Sequence, residues 1–127
     1  MKHYIPVLSL TLLSALITPL SAQLKIKDTE GKSLDILAGE KALVLYMYEY
    51  DTSSDQTKHA TYKPYLHVFD ADGKSLITKG PGGQFTHHRG IFIGWSKIGF
   101  NGKKYDRWHM KDGAIVHQSF KKKEAKE

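Results

Sequence analysis

The chain contains no cysteine, so disulfides and thiolate metal sites are both ruled out, and any bound metal would have to be held by imidazole and oxygen. Sustained helical spacing and internal repeats are missing as well. There is no glycine-rich phosphate loop, no nucleophile elbow and no paired-carboxylate signature, which removes the common nucleotide-binding and hydrolase patterns. Charge of one sign is not concentrated either. The formal net charge is +6 over 127 residues, but four lysines lie in the stretch 121–127 and the rest of the excess is spread singly. That distribution argues against a nucleic-acid partner, which recruits stripes and patches of cations.

Only one long apolar run is present, and it stands at the amino terminus. Lys2 and His3 precede an almost unbroken apolar segment from Ile5 to Leu20, and Leu20-Ser21-Ala22 supplies small residues before Gln23. This is the pattern of a secretory signal over 1–22. Pro6 and Pro19 interrupt the run, which falls short of the roughly 20 apolar residues that cross a bilayer. The expectation is therefore export, to the periplasm or the medium, with no membrane association after cleavage. No cysteine precedes Gln23, so the lipoprotein route is closed. Residues 23–120 are enough for one small domain, and 121–127 read as a basic disordered tail.

Short alternating runs broken by turn residues recur at even intervals, which predicts an antiparallel all-β domain. Seven strands are read at 24–28, 33–37, 41–50, 61–70, 75–79, 90–98 and 103–108, with an eighth at 114–120. Glu30-Gly31, Ala38-Gly39, Asp72-Gly73, Asn101-Gly102 and Asp112-Gly113 supply the turns. In the run 41–50, Leu43, Leu45 and Met47 alternate with Val44, Tyr46 and Tyr48, so both faces are apolar or aromatic. Such a strand is covered on both sides, and the architecture expected is an antiparallel β-sandwich. Residues 51–60 read as a flexible polar loop, and Gly80-Pro81-Gly82-Gly83 as a second irregular loop. Asp70-Ala71-Asp72-Gly73 is a hairpin turn rather than a calcium loop, since no glutamate closes it.

The second loop delivers the chain to Phe85-Thr86-His87-His88-Arg89-Gly90-Ile91-Phe92-Ile93-Gly94-Trp95, where two imidazoles and a guanidinium stand at the mouth of an apolar run. Burying three such groups without a purpose is expensive, so His87, His88 and Arg89 are the catalytic candidates. With a strand starting at Gly90, His87, Arg89, Ile91, Ile93 and Trp95 share one face, expected to be core, and His88, Gly90, Phe92 and Gly94 share the ligand-facing one. His67 and His117 are candidates to converge on this surface, although a lone histidine is more often a satisfied structural group. His59 and His109 read as surface residues on the same ground. Trp95, Trp108, Tyr62, Tyr65 and Phe92 could stack on a sugar, but aromatics in a small β domain are more often core.

From Tyr62 to Phe120 the chain resembles the exported bacterial PmoA-like proteins, also labelled "methane oxygenase PmoA". The resemblance rests on Lys63-Pro64-Tyr65-Leu66-His67, the Asp72-Gly73 turn, Phe85-Thr86-His87-His88-Arg89-Gly90-Ile91-Phe92, Trp108, and Gly113-Ala114-Ile115-Val116-His117. The His-His-Arg-Gly core is its distinctive part. Methane oxidation is not carried over, because a subunit of that enzyme needs membrane spans that residues 23–127 lack. The resemblance implies a large mutarotase-like sandwich, of which this chain would be the amino-terminal part, and a saccharide-related role. It also implies further strands after His117. Here the lysine-rich stretch follows Phe120 at once, so the expectation is a truncated chain with open sheet edges.

The leading expectation is thus a saccharide or polyol ligand, held by His67, Tyr65, Trp108 and His117 beside His87, His88 and Arg89. If the chain is an enzyme, one imidazole acts as base and another as acid at a sugar carbon while Arg89 steadies oxyanion charge, with the carboxylate partner expected from Asp106, Glu49 or a further carboxy-terminal part. No cofactor is required by that chemistry. The first alternative is a zinc or copper site built from His67, His87, His88 and His117. The second is a non-catalytic truncated remnant that pairs with another chain, as homo- or hetero-association, through an open edge.

Overall fold

The computed structural model describes residues 22–125. Its fold is all-β, antiparallel and sandwich-like, with one short helix. Three strands, β1 (Leu24–Thr29), β2 (Ser33–Ala38) and β3 (Lys41–Met47), form a meander joined at Gly31 and Gly39, both with positive φ. The registers Ile26↔Ile36 and Ile36↔Val44 line up alternating apolar side chains across the three strands. A bulge between Ile36 and Leu37 shifts the second pairing, and the sheet order is β1-β2-β3-β4.

After β3 the chain makes helix α1 (Asp55–Thr61) and returns as β4 (Tyr65–Val68), antiparallel to β3 through Leu45↔His67 and Met47↔Tyr65. The helix replaces the loop expected at 51–60. Its signal is a capping box in an unusual spelling. Ser54 Oγ accepts the Thr57 backbone N–H at 3.0 Å, and Thr57 Oγ1 accepts the Ser54 N–H at 3.0 Å, where Glu or Gln is the usual partner. Thr61 then accepts the Asp51 N–H at 2.9 Å, closing the segment on itself.

Beyond β4 the expected strands mostly give way to irregular chain. The run 75–79 keeps only the bridge Phe69↔Leu76, and the run 90–98 only Leu66↔Ile91 ahead of Ile98. Pairing resumes in the hairpin of β5 (Ile98–Phe100) and β6 (Lys103–Tyr105), turned at Asn101 and Gly102, both with positive φ. Residues 114–120 form no strand. They lie instead across the sheet face that presents Tyr46 and Tyr48, with the Phe120 ring 6.0 and 5.3 Å from those two rings. Lys123 Nζ returns to Asp28 Oδ2 at 2.5 Å, so the described part of the tail is tied to β1.

Facing along 90–98 is reversed from the sequence expectation. Ile91, Ile93 and Trp95, expected in the core, are 58%, 73% and 63% exposed, and Phe92 is the residue that turns inward. The core sits at the α1–β4 junction, where Tyr62 and Tyr65 are buried together with Lys63, His67 and Arg89. Gly90 is forced by this packing. A Cβ there would stand 2.0 Å from the Leu66 carbonyl oxygen, and its φ is +29°. Among the described residues no helix is long and apolar enough to cross a membrane, and the expected signal over 1–22 falls almost wholly outside them.

Candidate functional site

The loop that carries the histidine pair is held from both ends. Lys79 Nζ donates to the Gly82 and Phe85 carbonyls at 2.7 and 2.8 Å, and the Gly90 N–H donates to the Lys79 carbonyl at 2.7 Å. Arg89, only 1% exposed, turns inward and spends its guanidinium on backbone. Its Nη1 donates to the Ala60 carbonyl at 2.6 Å, Nε to Thr86 at 3.1 Å, and Nη2 to His59, over a Tyr62 ring 4.2 Å away. Those acceptors include the last carbonyls of α1, where a cation is favoured by the helix dipole. The expected oxyanion partner is therefore a strut joining the loop to α1.

With Arg89 anchored, its neighbours face outward. The His87 and His88 rings lie 4.3 Å apart, and His87 lies 4.8 Å from His109. Phe85 stacks on His88 at 5.5 Å, and Trp108 stands edge-on to it at 5.8 Å. His109 Nδ1 is 2.7 Å from Asp106 Oδ2, while Asp106 Oδ1 accepts the Trp108 and His109 N–H groups at 3.0 and 2.8 Å. The His109 backbone N–H first, and its imidazole next, hold the Asp106 carboxyl below the usual carboxylate range. Desolvation pushes the His87 imidazole below its ordinary value, and the neighbouring His88, His109 and Lys63 add to the shift.

Lys63 underlies the cluster. It is 1% exposed, with Nζ 3.4 Å above the Phe92 ring and donating to the Trp108 carbonyl at 3.1 Å. Burial, with Arg89 nearby, lowers its ammonium from 10.5 to about 8, and Asp106 opposes the shift. The Phe92 ring face and the Trp108 carbonyl also favour the charged form.

The other expected ligands lie elsewhere. His67 is buried, with Nδ1 3.0 Å from Thr78 Oγ1 and its ring 5.0 Å from that of Tyr65, and burial lowers its pKa. Tyr65 is itself buried, 5% exposed. His117 packs 4.8 Å from Tyr48 and 4.3 Å from Phe120, within the aromatic cluster on β3. Of the four histidines of the metal alternative, His87 and His88 lie together while His67 and His117 lie apart from them, and among the described residues no group of three or more His, Asp or Glu could hold a metal ion. Neither His109 nor Lys63 stands out as a site residue in the sequence. The Asp106-x-x-His109 spacing was the available signal for the first, whereas nothing local announces a buried lysine.

The whole cluster lies within a region shared with other proteins, since a family of unknown function, DUF6807, matches residues 33–127. The chain belongs to that family. No curated protein and no solved structure matches it. The DUF6807 match assigns no activity and makes no link to the PmoA-like proteins. It begins at β2 and includes α1, the histidine loop and the turn at 106–109, leaving β1 outside.

One hollow in this DUF6807 chain shares His109 with the cluster, and a second lies along the exposed run 91–95. A cleft of about 390 Å³ is lined by α1 residues Asp55, Lys58 and His59, by Tyr50 and Tyr62, and by the turn from His109 to Ala114. A larger groove of about 590 Å³ is almost wholly apolar and runs between Tyr46, Tyr65 and Leu66 on one side and Ile91, Ile93 and Trp95 on the other.

Proposed function

We propose that the chain binds a carbohydrate or related polyol at the cluster of His87, His88 and His109 and exchanges protons with it there. The observation that supports this reading is the convergence of three imidazoles from two separate segments, with rings 4.3 and 4.8 Å apart and one of them bound to a carboxylate. Imidazoles this close repel one another when charged, which disfavours simultaneous protonation of the set and suits it to passing a proton between neighbours. His87 is the acceptor, because its surroundings favour the neutral ring. A proton on His109 Nδ1 donated to Asp106 leaves Nε2 facing outward as the second acid–base group. Phe85 and Trp108 offer apolar surface suited to the C–H face of a sugar. Arg89 serves as the anchor that sets the loop. Export, which the amino-terminal pattern predicts, fits a ligand met outside the cytoplasm.

Titration calorimetry against a panel of sugars and polyols, with His87→Ala, His88→Ala and His109→Ala beside the wild type, tests the reading. A loss of roughly tenfold or more in affinity for each variant is expected, on the order of one or two lost polar contacts. Wild-type binding retained by all three would remove the cluster from the proposal.

A second reading has its own support. Ile91, Ile93 and Trp95 are more than half exposed along a segment whose backbone at 92–94 has no backbone partner among the described residues, so this edge suits pairing with another copy of the chain. Sedimentation velocity of the wild type and Ile93→Lys distinguishes it. A concentration-dependent dimer that the substitution abolishes is expected, and a monomer at all concentrations sinks the idea.

A further inference from the structure

The cleft beside the imidazole cluster differs from the cluster in character, because two of its walls carry fixed positive charge. Lys58 on α1 and Lys111 on the turn 109–113 both line it, and neither takes part in an ion pair among the described residues. Asp55 is the single carboxylate on the walls. Lysines that line a concave surface without a counter-ion raise the local potential toward anions. Tyr50, 40% exposed, supplies an accessible ring, and Tyr62 closes the floor edge-on to His59 at 5.1 Å.

The turn is held in shape independently of any ligand. Asp112 Oδ2 accepts the Asp106 N–H at 2.6 Å, Asp106 Oδ1 accepts those of Trp108 and His109, and Arg107 donates to the Asp112 carbonyl. Between His109 and Lys111 the chain passes through Met110 at φ +58°, a conformation that an unbranched side chain adopts only at a cost. That conformation places Lys111 and His109 on one wall. On the other wall, the Arg89 bonds to the His59 and Ala60 carbonyls fix the end of α1 that bears His59. His109 belongs to both places: it lines the cleft, and its ring is 4.8 Å from His87.

We propose that this cleft is the subsite for an acidic sugar, a uronate whose carboxylate lies between the Lys58 and Lys111 ammonium groups while its ring stacks on Tyr50 and its reacting carbon faces His109. The inference rests on the saccharide reading above and narrows it to a substrate class. A volume of about 390 Å³ accommodates one or two sugar rings, within the range of small-ligand clefts. Lysine provides point charges without a planar fork, so the subsite selects for charge and position, and the carboxylate is anchored before the imidazoles act.

The test is titration of the full chain with an oligogalacturonate, with a neutral oligosaccharide of the same length and with a sulfated one, for the wild type and for Lys58→Gln/Lys111→Gln. The wild type should bind the oligogalacturonate at least tenfold more tightly than the neutral sugar, and the double variant should lose that preference while keeping its thermal midpoint. Raising the salt from 50 to 300 mM should reduce the preference in the wild type alone. Equal binding of the acidic and neutral sugars, still dependent on His87 and His109, would overturn the acidic subsite and leave the saccharide reading standing. Preference for the sulfated sugar alone would overturn the carboxylate assignment, and binding of none of the three would overturn both readings.

Discussion

Two cations, Lys63 and Arg89, are the most deeply buried large side chains described, and neither meets a carboxylate. Aromatic faces and backbone carbonyls stand in for counter-ions: Phe92 and the Trp108 carbonyl for Lys63, Tyr62 and the carbonyls of His59, Ala60 and Thr86 for Arg89. The arrangement leaves Lys63 with a measurable signature. Its ammonium titrates at about 8 in the folded chain against 10.5 when unfolded, so between those values the unfolded state binds more protons and stability rises with pH. From pH 7.5 to 9.5 the rise is at most about 2 kcal/mol, since one pK unit corresponds to about 1.4 kcal/mol. Lys63→Met, which puts an unbranched apolar chain beside Phe92 in place of the ammonium, should be more stable than the wild type at pH 7.5 and should lack this rise. Urea midpoints of both proteins across that interval check it, and parallel pH profiles would show that Lys63 is not perturbed.

At the scale of elements, what could be read from the sequence depended on how local the pairing is. Strands β1 to β3 were legible because each pairs with its neighbour through a short glycine turn, so alternation and turn chemistry agree. Residues 90–97 carry the same alternation, but among the described residues their only ladder partner is Leu66 across a single bridge, and a period-two pattern without a partner strand does not say which face is core. The histidine loop was recognised from composition, whereas the destination of Arg89 was not, because its acceptors lie in α1, a helix whose cap uses Thr57 in place of Glu. Arg89 therefore couples two elements. Arg89→Lys should cost about 2–4 kcal/mol, since one ammonium cannot serve carbonyls in three directions and the rest are left unpaired in a buried site. Amide exchange should show α1 and residues 85–90 losing protection together while β1 and β2 keep theirs relative to the global value. Loss confined to the loop would show that the helix end does not depend on the guanidinium.

For the whole molecule, acid should act in two stages. The His67 and His87 imidazoles are both held below their ordinary value, chiefly by desolvation, so the folded chain takes up protons on them later than the unfolded chain does. Their contribution is fully present above the unfolded value of 6.5 and is lost as pH falls below it toward the folded values. The carboxyls of Asp28, Asp51, Asp70 and Asp106 are held low by hydrogen bonds, first by Lys123, by the Ser53 N–H, by the Lys74 N–H and by the His109 N–H respectively. Their contribution persists until pH drops below the unfolded carboxylate value of 3.8. The unfolding midpoint in urea should consequently decline as pH falls below 6.5, and decline again as it falls below 3.8. His67→Phe should flatten the first decline, because the larger of the two desolvated imidazole environments is gone and the ring volume beside Tyr65 is kept. A wild-type midpoint constant between pH 7 and 5 would mean that both imidazoles stay wet enough to charge freely, and with that the neutral acceptor assigned to His87 would be lost.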